Sequence, residues 1–168
     1  FAVGSTAVTC SATDAAGNNA SGSFNVTVTD STEPVLILPA DITAETTGPG
    51  GAAVSYTATA TDLIDGTVPA DCTPASGTTF ALGSTAVSCS ATDAAGNTTS
   101  GSFNVTVVDS TAPELSLPAD ITAEATGADG AVVTYTATAT DLIDGTVPVS
   151  CVPASGAIFA VGSTAVSC

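Results

Sequence analysis

The chain has 168 residues and sixteen carboxylates but no Lys, Arg or His, which gives a formal charge of −16. No side-chain salt bridge can form, so each carboxylate must be solvated, hydrogen-bonded or matched by an external cation. Such a field disfavours nucleic acid and anionic surfaces as partners and favours divalent cations, which take oxygen ligands. At 44% hydrophobic and 10% charged residues, the composition is that of a folded chain. No apolar run is long enough for a membrane-spanning helix. The sequence opens on no signal-peptide pattern, and the chain is expected to be a piece of a longer protein.

A repeat organises the sequence. FAVGSTAVTC at Phe1 returns as FALGSTAVSC at Phe80 and as FAVGSTAVSC at Phe159, an offset of 79 residues both times. VTVTDSTEPVLILPADITAE from Val26 and YTATATDLIDGTVP from Tyr56 recur at the same offset, from Val105 and Tyr135, with few substitutions. The Asp-Ser-Thr-x-Pro stretches at Asp30 and Asp109 read as short linkers. Residues 1–30 are then the C-terminal part of a preceding module, 31–109 a complete module, and 110–168 the N-terminal part of a following one.

Within the complete module the predicted elements are all strands. Leu36–Leu38 and Ile42–Glu45 are short. Val54, Tyr56, Ala58 and Ala60 alternate with Ser55, Thr57, Thr59 and Thr61, the period of a half-buried strand. Val68–Cys72 follows, then the alternating sets Val87, Cys89, Ala91 and Phe103, Val105, Val107. About seven strands in roughly 80 residues, with Gly, Pro, Asp and Asn turns, predict an all-β chain of tandem immunoglobulin-like sandwiches. No segment has helical periodicity.

The cysteines are Cys10, Cys72, Cys89, Cys151 and Cys168. Cys72 and Cys89 are 17 positions apart, as are Cys151 and Cys168. Pairing within each module is the simplest framework, and the partner of Cys10 then falls before Phe1. Closing such a loop contributes about 3 kcal/mol on the chain-entropy estimate. Disulfides place the chain in an extracellular setting, secreted or at a cell surface. A zinc site lacks histidine and any C-x-x-C pair.

CTPASGTTFALGSTAVSCSATDAAGN from Cys72, SGSFNVTV from Ser100 and APELSLPADITAEA from Ala112 resemble the HYR (hyalin repeat) domain family across essentially the whole chain. The resemblance implies an immunoglobulin-like fold, extracellular placement, tandem arrays and a role in adhesion or matrix. Many family members carry a second cysteine pair. Its positions here hold Leu38 and Gly101, with Leu117 and Gly22 in the flanking modules, so the first strand is expected to be held by apolar packing alone.

Immunoglobulin topology brings three loops to one end of a module. Asp30, Asp62, Asp65, Asp93 and Asn97 are expected to converge at one junction, and Asp109, Asp141 and Asp144 at the next. Converging oxygens with no protein cation suit Ca²⁺, which takes six to eight oxygen ligands. The alternative is that Asp and Asn occupy these loops as turn formers. Glu33 is a weaker candidate ligand because its counterpart is Ala112. Asn19, Asn25, Asn97 and Asn104 lie in N-x-S/T sequons and are candidate glycosylation sites, with Asn25 and Asn104 on the outward face of a strand.

Catalysis is not expected, because histidine and lysine, the usual bases, are absent. Asp62 with Asp65 mimics a glycosidase pair, but it recurs as Asp141 with Asp144, as a structural turn would. The function read here is a structural module of a stalk, fibre or filament, whose partners are copies of itself or neighbouring modules in a head-to-tail array. The alternative is an adhesin segment, but the chain has few aromatic residues and no arginine to anchor a ligand. The array is read as one continuous polypeptide. In the other arrangement separate chains complete one another head to tail, and Cys10 and Cys168 compete for Cys151.

Overall fold

The computed structural model describes residues 1–168 as strands, bridges and turns, with no helix. In chain order the strands are β1 (Gly4–Thr13), β2 (Asn19–Val28), β3 (Val35–Ile37), β4 (Ile42–Glu45), β5 (Ala52–Ala53), β6 (Thr59–Asp62), β7 (Gly66–Val68) and β8 (Ala70–Thr73). There follow β9 (Thr79–Phe80), β10 (Gly83–Thr92), β11 (Thr98–Val108), β12 (Glu114–Ser116), β13 (Ala131–Val132), β14 (Thr138–Asp141), β15 (Gly145–Val147) and β16 (Ile158–Phe159). The chain divides into two compact units: Phe1–Asp41, Ser55–Thr78 and Ala86–Asn104 form one, and Ile42–Val54, Thr79–Thr85 and Val105–Cys168 the other.

In the first unit β1 and β2 form an antiparallel hairpin, in register from Gly4↔Val28 to Thr13↔Asn19. β6 pairs antiparallel with both β3 and β7, from Val35↔Thr61 and Asp62↔Gly66. β8 pairs with β10, setting Cys72 opposite Cys89. Ala60 and Val68 from the β3-β6-β7 sheet bury against Ala91 of β10, with Leu36 and Ala70 packed around them. Two sheets closing on one apolar layer make this a β-sandwich. Tyr56 meets Phe103 edge-to-face at 4.9 Å, and its hydroxyl donates to the Pro74 carbonyl.

In the second unit β4 runs parallel to β11, from Val105↔Ile42 to Val108↔Glu45. β5 pairs with β9, β13 with β16, and β14 with both β12 and β15. The main sheet has the order β4-β11-β10-β8. Thr46 extends the β4–β11 pairing by donating its N–H to the Val108 carbonyl at 2.8 Å.

Three elements differ from the sequence reading. Ser55–Ala58 lies in no strand, although its burial alternates as predicted. The Ser76 hydroxyl accepts from the Tyr56 N–H at 2.8 Å and donates to its carbonyl at 2.7 Å, so a side chain satisfies backbone groups that a neighbouring strand would otherwise pair. Val68–Cys72 is two strands, not one. Pro69 has no N–H to give a ladder, and the chain changes sheets there: β7 joins β6, and β8 joins β10. Lastly, the first strands are held by more than apolar packing. Asp41 accepts from the Asn104 N–H at 2.7 Å and from its side-chain amide at 3.3 Å, and β4 has its own ladder with β11.

Candidate metal centre

The TDLIDG loop after β6 is shaped by Asp62, whose Oδ1 accepts the N–H groups of Ile64 (2.7 Å) and Asp65 (3.0 Å). This is an Asx turn, the local hydrogen bonding that makes aspartate a turn former. Those donors, Asp65 first and then Ile64, hold the Asp62 carboxyl below the usual carboxylate range. In the loop between β10 and β11, Asp93 Oδ1 accepts the Asn97 N–H and Asp93 Oδ2 its side-chain amide, both at 2.7 Å. Asp65 ties the two loops together by accepting the Ala94 N–H at 2.9 Å. Asp30, in the segment before β3, accepts the Thr32 N–H at 3.1 Å.

These loops bring Asp30, Asp62, Asp65 and Asp93 together, with one carboxylate oxygen from each within 4.8 Å of all the others. Asn97 joins them through its amide nitrogen, which holds Asp93 and reaches the Asp30 carbonyl at 3.5 Å. Asp62 is only 7% exposed, and its Oδ2 has no hydrogen-bond partner. Asp30 Oδ2 is likewise buried without a partner. A buried anionic oxygen without a donor is costly. The sequence supplies no side-chain cation, so the donor set fits a hard cation that takes carboxylate oxygens.

The second unit repeats part of this arrangement. Asp141 Oδ1 accepts from Ile143 (2.7 Å) and Asp144 (3.0 Å), and these bonds, Asp144 first, lower its pKa as they do for Asp62. Asp109 accepts the Thr111 N–H at 3.2 Å. Asp109, Asp141 and Asp144 also share a 4.8 Å neighbourhood. In the first cluster the fourth carboxylate, Asp93, comes from the β10–β11 loop.

Cys72–Cys89 and Cys151–Cys168 are disulfides, each spanning a separation of 17, and Cys10, whose expected partner falls before Phe1, is exposed. The sequons differ in availability. The side-chain amides of Asn19, Asn97 and Asn104 donate to Thr13, Asp93 and Asp41. Asn25 is exposed on β2.

One residue group was not singled out by sequence reasoning. The Glu45 carboxylate accepts the Ser110 N–H and hydroxyl, both at 2.8 Å, and the Thr111 hydroxyl at 3.2 Å, clasping the segment after β11. Its counterpart Glu124 was the available signal, since both copies keep a glutamate at the end of PADITAE.

Repeated all-β modules, disulfide-stapled and gathering carboxylates at their loop ends, define a tandem β-sandwich repeat protein. The family model of the HYR domain matches residues 1–28 and 29–107, and the chain belongs to the HYR domain family. Hyalin of Strongylocentrotus purpuratus is 37% identical over 177 residues, covering 99% of the chain and 15% of its own length. Hyalin of Lytechinus variegatus is 35% identical over 178 residues, covering 99% of the chain and 34% of its own length. The chain therefore spans only a minor part of each of these relatives.

Proposed function

We propose that the chain is a structural segment of an extracellular, adhesion-related repeat protein, and that its modules join into a stalk, fibre or filament through calcium-bound junctions. Asp30, Asp62, Asp65 and Asp93 would hold one Ca²⁺, with Asn97 positioning Asp93. Asp109, Asp141 and Asp144 would begin the next site. The ion would neutralise carboxylates that otherwise repel one another, and would tie the linker aspartate to two loops of the following module.

The observation that carries this reading is the buried, partnerless Oδ2 of Asp62, a member of a four-aspartate cluster in a protein without side-chain cations. Turn formation accounts for Asp62 Oδ1 but not for Oδ2. The two disulfides, of a kind that persists in oxidising compartments, support extracellular placement. Near-identical modules at a constant period favour a regular array over a unique binding surface. The deciding experiment is thermal unfolding in chelator and in millimolar calcium. A rise in melting temperature with calcium is the expected result, and identical curves would remove calcium from the account while leaving the scaffold role.

A further inference from the structure

The first and last strands of the main sheet lie side by side in the central module and point the same way. β4 runs parallel to β11 from Val105↔Ile42 to Val108↔Glu45. The chain enters β4 from Asp41 and leaves β11 into Asp109. In a parallel pair these two points fall at opposite ends of the ladder, so tension along the chain draws β4 and β11 past each other. The ladder bonds then lie across the load and share it. An antiparallel pair loaded in this way would have both points at one end and would open one bond at a time.

Side chains brace the ladder at each end. Beside Ile42, Asp41 accepts the Asn104 N–H at 2.7 Å and its side-chain amide at 3.3 Å. Beyond Val108, Glu45 accepts the Ser110 N–H and hydroxyl at 2.8 Å and the Thr111 hydroxyl at 3.2 Å. The Thr46 N–H adds a bond to the Val108 carbonyl at 2.8 Å. Hydrogen bonds to a carboxylate are roughly twice as strong as neutral ones, so the strongest bonds stand where the load enters and leaves. Ser110 and Thr111 belong to the linker, and tension from the following module meets the Glu45 clasp before it reaches β11. Each part recurs in the sequence: Asp41, Glu45, Asn104 and Ser110-Thr111 have the counterparts Asp120, Glu124, Asn25 and Ser31-Thr32.

We propose that the β4–β11 ladder, with its Asp41 and Glu45 braces, is a force-bearing clamp that carries tension along the array as shear. The source of the tension rests on the stalk or filament reading. The clamp itself rests on strand direction and side-chain bracing, and needs no calcium. Resistance to force is governed by the rate of unfolding rather than by equilibrium stability alone.

The test is single-molecule stretching of the 168-residue chain in chelator, in two geometries. In the first, handles at the two ends of the chain shear the clamp. In the second, one handle stays at the C-terminal end and the other sits in the exposed Pro49–Gly50 turn, so that the ladder peels from its Glu45 end. The central module is recognised by the length it releases, residues 31–109 less the loop that Cys72–Cys89 closes.

A severalfold higher unfolding force is expected end to end than on peeling. Asp41→Ala should lower the end-to-end force and leave the peeling force unchanged, because peeling reaches Asp41 last. Glu45→Ala should lower both. Asp71→Ala, the same loss of charge on the exposed face of β8, should change neither. Equal forces in the two geometries would overturn the clamp, as would an end-to-end force that Asp41→Ala leaves unchanged. If a variant does not fold, the two geometries of the parent chain decide alone. Failure of the stalk reading shows separately, as native material without fibres by electron microscopy, and does not alter these forces.

Discussion

The Leu38 side chain lies directly over Gly101: a Cβ added at Gly101 would stand 2.9 Å from Leu38 Cδ1 and 3.7 Å from Leu36 Cδ2. These are the two positions at which the family resemblance leads one to expect a second cysteine pair, and here a large residue fills the space that a glycine leaves. The double variant Leu38→Cys with Gly101→Cys should therefore close a disulfide on oxidation, with a loss of two titratable thiols. Across so long a loop it should add about 4 kcal/mol to unfolding stability. Two thiols that remain free under oxidising conditions would contradict this contact.

Phe103 and Phe24 occupy the same place in the repeat but differ in surroundings, at 4% and 57% exposed. Phe103 also makes the edge-to-face contact with Tyr56. Phe103→Ala should cost about 3–5 kcal/mol by denaturant unfolding, and Phe24→Ala less than about 0.5 kcal/mol in dilute solution. Equal costs would mean that β1–β2 is as well covered as β10–β11.

Asp62 offers a sharper test of the metal than activity could. A ligand at a hundredfold excess over its Kd adds about 2.7 kcal/mol to stability. Asp62→Asn should lose that calcium-dependent gain. In chelator it should melt no lower than the parent in the part that reflects repulsion, because one carboxylate of the four is removed. A variant that keeps the full calcium response would place the ion elsewhere.

Glu45 gives the pH dependence a sign. Its carboxyl is held below the ordinary value of 4.5, chiefly by the Ser110 N–H and then by the Ser110 hydroxyl. The unfolded chain therefore binds protons at higher pH than the folded one. The contribution of Glu45 is fully present above the ordinary value and is lost as pH falls through the folded value. Glu45→Gln should lower the calcium-free unfolding midpoint at neutral pH, and the difference from the parent should vanish in acid. The difference reads Glu45 alone, since protonation also relaxes the charge of −16.

The period, the alternating long strands and the grouping of aspartates by loop were legible in the residues, because spacing and side-chain type fix them. Other features depend on contacts distant in sequence. Ser55–Ala58 alternates like a strand, but Ser76, twenty residues on, takes the backbone bonds of Tyr56. PADITAE reads identically in both copies and is a strand in only one of them. Asp62 reads as a turn former, and one of its oxygens is. That the other is buried without a partner depends on how three loops pack, which no local pattern encodes.

The parallel pairing of β4 with β11 also bears on synthesis. Ile42–Glu45 emerges from a ribosome some sixty residues before Val105–Val108, its partner, and such non-local pairing is slow to form. Until then each nascent module presents an open edge, while the hairpin of the preceding module, nearly identical in sequence, is already made. A growing chain of these repeats is thus exposed to frame-shifted pairing by one module. Differences between neighbouring hairpins, such as Asn19 and Ala20 against Thr98 and Thr99, are where a code for correct pairing would have to reside.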